Sequence, residues 1–142
     1  MRGMVLTLVL CVTVTAGLAH QGVRNHVVVH RMDLMTAMQD QVKILGDMVR
    51  GKTAYDANAA TAARAALIAL SQDVPARFAP RETDPQSEAR ATIWTDWPGF
   101  VARSEATVAA AVALDVTNLR QGLAAVGRTC TSCHEAYRID AP

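Results

Sequence analysis

Apolar residues along most of this chain recur at steps of three and four, the spacing that gathers them on one face of an α-helix. In a first stretch, roughly Arg24 to Val49, Val27, Leu34, Met35, Met38, Val42, Leu45 and Val49 follow that step, and Gly51 and Lys52 stop it. Asp56 is the expected N-cap of a second helix, with Ala59, Ala63, Ala66, Leu67 and Leu70 on its inner face and Pro75 as its end. A third helix opens at Thr95 or Asp96, tolerates Pro98 in its first turn, and carries Phe100, Val101, Val108 and Val112 to about Leu114. The fourth starts near Asp115. Between the second and third, residues 73–95 hold Pro75, Pro80 and Pro85 and keep no period. A connection that long is uncommon inside a compact domain. No strand alternation competes, so the expected class is all-α.

The last helix is the most regular. Leu119, Leu123, Val126, Cys130, Cys133 and Tyr137 are spaced 4, 3, 4, 3 and 4 residues apart, the seam of a helix packed in a bundle. Both cysteines therefore belong on the inward face, one turn apart, with His134 on the same side. Together they form Cys130-Thr131-Ser132-Cys133-His134, the attachment signature of a c-type haem. The two thiols can add to the haem vinyl groups, and the adjacent imidazole is then held where it can ligate iron. A redox dithiol wants a strand leading into its Cys-x-x-Cys at a helix N-terminus, whereas this motif lies deep in a C-terminal helix. A structural zinc needs four ligands, and His20, His26 and His30 have no ligand-like spacing to complete one.

Composition changes the picture in two places. The chain has 142 residues, 51% of them hydrophobic but only 4% aromatic, a balance that favours helix over strand. Its length suits one domain. Its first residues stand apart: Met1-Arg2-Gly3 is a short positive start, Met4 to Ala19 is nearly all apolar, and Gly17-Leu18-Ala19 closes with small residues. This is the layout of a secretory signal peptide over residues 1–19, with Cys11 leaving as part of it. The expected mature domain is then 20–142 and its compartment the periplasm. Of 14 Lys and Arg, only Arg2 goes with the leader, which leaves 13 basic against 13 acidic residues. A neutral balance does not suit a nucleic-acid binder.

The run Cys130-Thr-Ser-Cys133-His134-Glu-Ala-Tyr137-Arg138, a few residues from the end, resembles the ending of cytochrome c′ and other class II cytochromes c. Gly51-Lys-Thr-Ala-Tyr55-Asp56, Ile93-Trp94-Thr-Asp96 and the Asp115-Val-Thr-Asn-Leu119 turn match as well, so the likeness spans the mature chain. It implies an antiparallel, up-down-up-down four-helix bundle with one covalent haem c near one end and His134 as proximal ligand. Counting back from Tyr55-Asp56, the family's distal residue falls at Met35 and a basic residue one turn earlier at Arg31. The resemblance implies Met35 as sixth iron ligand, with Met38 and His30 as fallbacks, and Arg31 as a hydrogen-bond donor to a haem propionate; core filling by Met35 and a snorkelling Arg31 are the bland alternatives. Arg138 matches a basic residue near the proximal ligand, Trp94 a residue over the haem edge, and Trp97 is expected only to pack in the core.

The function so implied is a periplasmic one-electron carrier with His134/Met35 ligation, not an enzyme. Its partners would be other periplasmic redox proteins, with a homodimer through the first two helices. The alternative is a five-coordinate, high-spin haem that binds nitric oxide or carbon monoxide.

Overall fold

The computed structural model describes residues 22–139; the expected leader 1–19, with Cys11, and His20 lie outside the described residues. Helix α1 spans His26–Val49, α2 Ala57–Phe78, α3 Thr92–Thr95, α4 Trp97–Ala113 and α5 Leu119–Tyr137. The starts of α1, α2 and α4 are set by side-chain caps. Asn25 accepts from the Val27 and Val28 N–H groups, Asp56 from Asn58 and Ala59, and Asp96 from Gly99, so each satisfies amides that have no partner inside the helix. Four long helices pack as a ring, α1 on α2, α2 on α4, α4 on α5, and α5 back on α1 far more sparsely. That order of neighbours is the up-down-up-down bundle.

Two apolar clusters fill the ring. Leu45, Ala60, Ala63, Leu67, Ala111, Leu114, Leu119 and Val126 form one. Leu34, Val74, Phe78, Ile93, Phe100 and Tyr137 form the other, at the end where the long connection lies. Met38 packs against both.

Three departures from the sequence reading have clear causes. Pro75 does not end α2, which runs on to Phe78. A proline inside a helix leaves the carbonyl four residues back without its amide, here that of Ser71. The Ser104 hydroxyl of α4 donates to that oxygen at 3.3 Å, inside a buried contact. The inward face of α4 is Phe100, Ser104, Thr107 and Ala111, while Val112 is 51% exposed. Small side chains there let α4 approach α2, and the hydroxyls pay no burial penalty because they are bonded: Ser71 to the Leu67 carbonyl and Thr107 to that of Arg103. On α2 the fully buried alanine is Ala60 rather than Ala59.

The long connection is not structureless. The Asp84 carboxylate accepts from the Arg24 and Asn25 N–H groups at 2.9 and 3.1 Å, tying the connection to the start of α1. The Trp94 indole N–H donates to the Phe78 carbonyl at 2.8 Å. Ala89 pairs antiparallel with Arg138 just past α5. The connection thus closes the end of the bundle where Cys133 and Tyr137 lie.

Candidate functional site

Helix α5 delivers the two cysteines as its seam requires, while His134, expected on the same inward side, is exposed. Leu119, Val126 and Tyr137 are buried, and Cys130 and Cys133 are partly buried between them. Cys130 packs against the first apolar cluster and Cys133 against the second. The two thiols therefore straddle the joint between the cores. They are not joined to each other, and burial pushes both thiols above the ordinary cysteine range. They are held as neutral thiols rather than as nucleophilic thiolates. His134 is more exposed; partial desolvation, with the Arg138 charge, holds its imidazole below the usual range, against a weaker opposite effect of Glu88. A neutral imidazole keeps the lone pair that a metal needs. No group of three or more His, Cys, Asp or Glu among the described residues could hold a metal.

On α1, Met35 is partly buried and packs on the same cluster as Cys133. The structure thus brings Met35 and the motif to one end of the bundle. His26 and His30 are exposed, as rim residues.

Arg31 behaves in a way neither expectation covered. It is 3% exposed and does not snorkel to solvent. Its Nε donates to the Arg77 carbonyl at 3.0 Å, one Nη to that of Glu82 at 2.8 Å, and the other to that of Pro80. The guanidinium carbon lies 5.1 Å from the Phe78 ring centroid and 5.2 Å from that of Trp94. Arg31 is thus a staple from α1 to the C-terminal end of α2 and the connection. Trp94 is part of that staple, and Trp97 packs on Phe100 at 5.4 Å between centroids.

Tyr137, Asp96 and Arg138 stand out in the sequence, but the bonds they make around His134 do not, and Arg103 carries no signal there at all. The Tyr137 hydroxyl donates to Asp96 at 2.6 Å, and burial together with that carboxylate pushes the phenol above its usual range. Arg103 of α4 donates to both the carbonyl (3.1 Å) and the hydroxyl of Ser132. Arg138 pairs with Glu88 at 2.6 Å at the surface. Only in hindsight is the spacing of Asp96 and Arg103, two helical turns apart on one face of α4, a signal.

This donor set fits a covalent haem c. Two neutral thiols one turn apart face apolar surroundings, an uncharged imidazole follows the second, and the opposing helix α1 is loosely packed against α5 and presents Met35.

A family profile described as Cytochrome C' matches residues 26–138. A cytochrome c' of Pararhodospirillum photometricum is 33% identical over 118 residues, covering 77% of this chain and 93% of the relative. The solved cytochrome c' from Rhodobacter Spheriodes is 30% identical, with a TM-score of 0.74 over 82% of this chain and 97% of its own. Variants of cytochrome c prime from Alcaligenes xylosoxidans have been solved with nitric oxide and with carbon monoxide bound. They are similar to this chain at 30% identity and a TM-score of 0.72, over 80% of it and 94% of theirs.

Proposed function

This chain belongs to the cytochrome c′ family, which carries covalently attached haem c, and from that membership we propose that it is a periplasmic haem protein that binds nitric oxide or carbon monoxide and exchanges single electrons. Cys130 and Cys133 would form the two thioethers and His134 would ligate the iron. Haem c bound there would supply an iron that exchanges one electron and can bind a small ligand. Met35, which packs on the same apolar cluster as Cys133, and the buried Leu34 would give the bound group apolar surroundings, and Arg31 holds that end of the bundle closed. The observation that carries this reading is the pair of cysteines on the inward seam of α5, one in each apolar cluster, with His134 beside them. The gas-binding part is supported by the solved Alcaligenes relatives with nitric oxide and carbon monoxide.

No side chain in the site is arranged as a nucleophile with a base, so the proposed role is binding and electron exchange rather than turnover. The proposed partners are periplasmic redox proteins and a second copy of the chain through α1 and α2, a face that exposes Ile44.

One observation favours a second reading, a low-spin carrier with His134/Met35 ligation: Met35 packs into the same cluster as Cys133. The optical spectrum of Met35→Ala separates the two. If Met35 only covers the iron, the wild type has a broad high-spin band, and the variant keeps it and takes up carbon monoxide faster. If Met35 ligates, the wild type has a sharp split α band that the variant loses.

A further inference from the structure

Helix α4 grips α5 by side-chain hydrogen bonds at two points, and His134 lies between them. Upstream, the Arg103 guanidinium holds Ser132, between the two cysteines on α5, by its carbonyl at 3.1 Å and by its hydroxyl. Downstream, Tyr137 gives its hydroxyl hydrogen to Asp96 at 2.6 Å. Ser132 is two residues before His134 and Tyr137 three after it. Among the described residues, the side-chain hydrogen bonds from α4 and its cap to α5 fall only at these two points.

The grip is built rather than incidental. Tyr137 is 6% exposed. Its ring stands edge-on to Phe100 with centroids 5.4 Å apart and an interplanar angle of 80°, and the Arg103 guanidinium carbon lies 5.9 Å from its centroid. One arginine therefore touches both ends of the grip. Asp96 also caps α4 through the Gly99 N–H at 3.3 Å, and a Cβ on residue 99 would collide with the Asp96 carboxylate. Beyond Tyr137 the backbone is held again: the Arg90 N–H donates to the Tyr137 carbonyl at 2.9 Å and the Ile139 N–H to that of Glu88 at 2.7 Å.

A helix fixed at one point can still turn about its axis or slide along its neighbour. Fixed on both sides of one residue, it can do neither. Side-chain ligands must be held within about 0.5 Å of their productive geometry, and groups outside the ligand set commonly do that. We propose that Asp96 and Arg103 are positioning residues for the proximal ligand, acting through Tyr137 and Ser132 to fix the direction of the His134 imidazole. The proposal rests on the haem assignment above.

The test uses the haem-loaded full chain. Tyr137→Phe removes one hydroxyl and Arg103→Gln removes the fork. Both should retain covalent haem by mass and wild-type helix content, while the iron–histidine stretching band of the reduced protein shifts and broadens and the reduction potential moves. Asp96→Asn, which leaves one amide oxygen for the Gly99 N–H and puts an NH2 group where Tyr137 now donates, should shift the band as Tyr137→Phe does. Unchanged band and potential in both Tyr137→Phe and Arg103→Gln would overturn the proposal. So would variants that lose haem while the wild type holds it, because the grip would then serve retention rather than orientation. Should Tyr137→Phe fail to accumulate, Arg103→Lys, which keeps the charge and loses the fork, takes its place under the same criteria. A wild-type protein without covalent haem would instead refute the haem assignment.

Discussion

Arg31 illustrates how one side chain can serve an end of a fold. A guanidinium is a rigid planar fork of donors, and here it spans three carbonyls that have no helix to continue into, those of Arg77, Pro80 and Glu82. Burial lowers its pKa, opposed by the Glu82 charge, yet the guanidinium stays charged at any ordinary pH. Arg31→Met should cost about 2–4 kcal/mol in denaturant unfolding, since it leaves these acceptors short of partners in a buried place. Lysine should not rescue it, because a point charge cannot reach three oxygens at once. A loss under about 0.5 kcal/mol would show that the carbonyls find water instead. At the other end of α1, Lys43 and Arg50 hydrogen-bond to Asp47 at 2.6 and 2.8 Å and hold its carboxyl down to about 2, against an ordinary 3.8. A carboxyl depressed in the folded state stabilises it above its unfolded pKa and ceases to as pH falls through the folded one. Acid unfolding should therefore steepen between about pH 4 and pH 2. Asp47→Asn should remove that part of the slope, and an unaltered acid profile would contradict the assignment.

At the scale of elements, the four long helices were readable because each runs for at least four turns, whereas the single turn of α3 is too short to show a period. What failed were the places where a contact from another helix overrides a local rule. Pro75 looks like a stop until Ser104 supplies the missing donor. Ser104→Ala should cost about 1–2 kcal/mol, and less when combined with Pro75→Ala, whose restored amide takes the same carbonyl. A double-mutant cycle reads the coupling directly, and purely additive losses would refute it. The face of α4 was misread because valines outrank serine and threonine as core residues in a sequence, while close packing against α2 wants small ones. The inward placement of Cys130, Cys133 and Met35 was legible from motif, spacing and family likeness, but the Tyr137–Asp96 and Arg103–Ser132 bonds join residues far apart along the chain with no shared pattern. Two glycines of α5 make a matched pair. A Cβ at Gly122 would stand 2.8 Å from the Leu114 side chain and 3.0 Å from its Cα, whereas one at Gly127 meets nothing within 4 Å. Gly127→Ala should gain about 0.5–1 kcal/mol of helix stability, and Gly122→Ala should lose about 1–3 kcal/mol by overpacking. Equal effects in thermal unfolding would mean that α5 shifts freely away from the α4–α5 turn.

For the whole molecule, the division of the core into two apolar clusters is the organising feature. One is an ordinary bundle interior; the other closes the end with aromatic rings, the long connection and the Arg31 staple. The haem-attachment cysteines fall at their joint, and α1 and α5, the least tightly packed neighbours, face each other across it. A cofactor tethered there would be held from α5, with the apolar Met35 side chain of α1 on the same cluster as Cys133. Whether Met35 covers the iron or binds it is what divides a gas-binding haem from a sealed electron carrier. The most direct test is the optical spectrum of the reduced, haem-loaded protein before and after carbon monoxide is added. The account predicts a broad high-spin band that changes at once to that of a carbon monoxide complex. A sharp, split α band left untouched by the gas would contradict it.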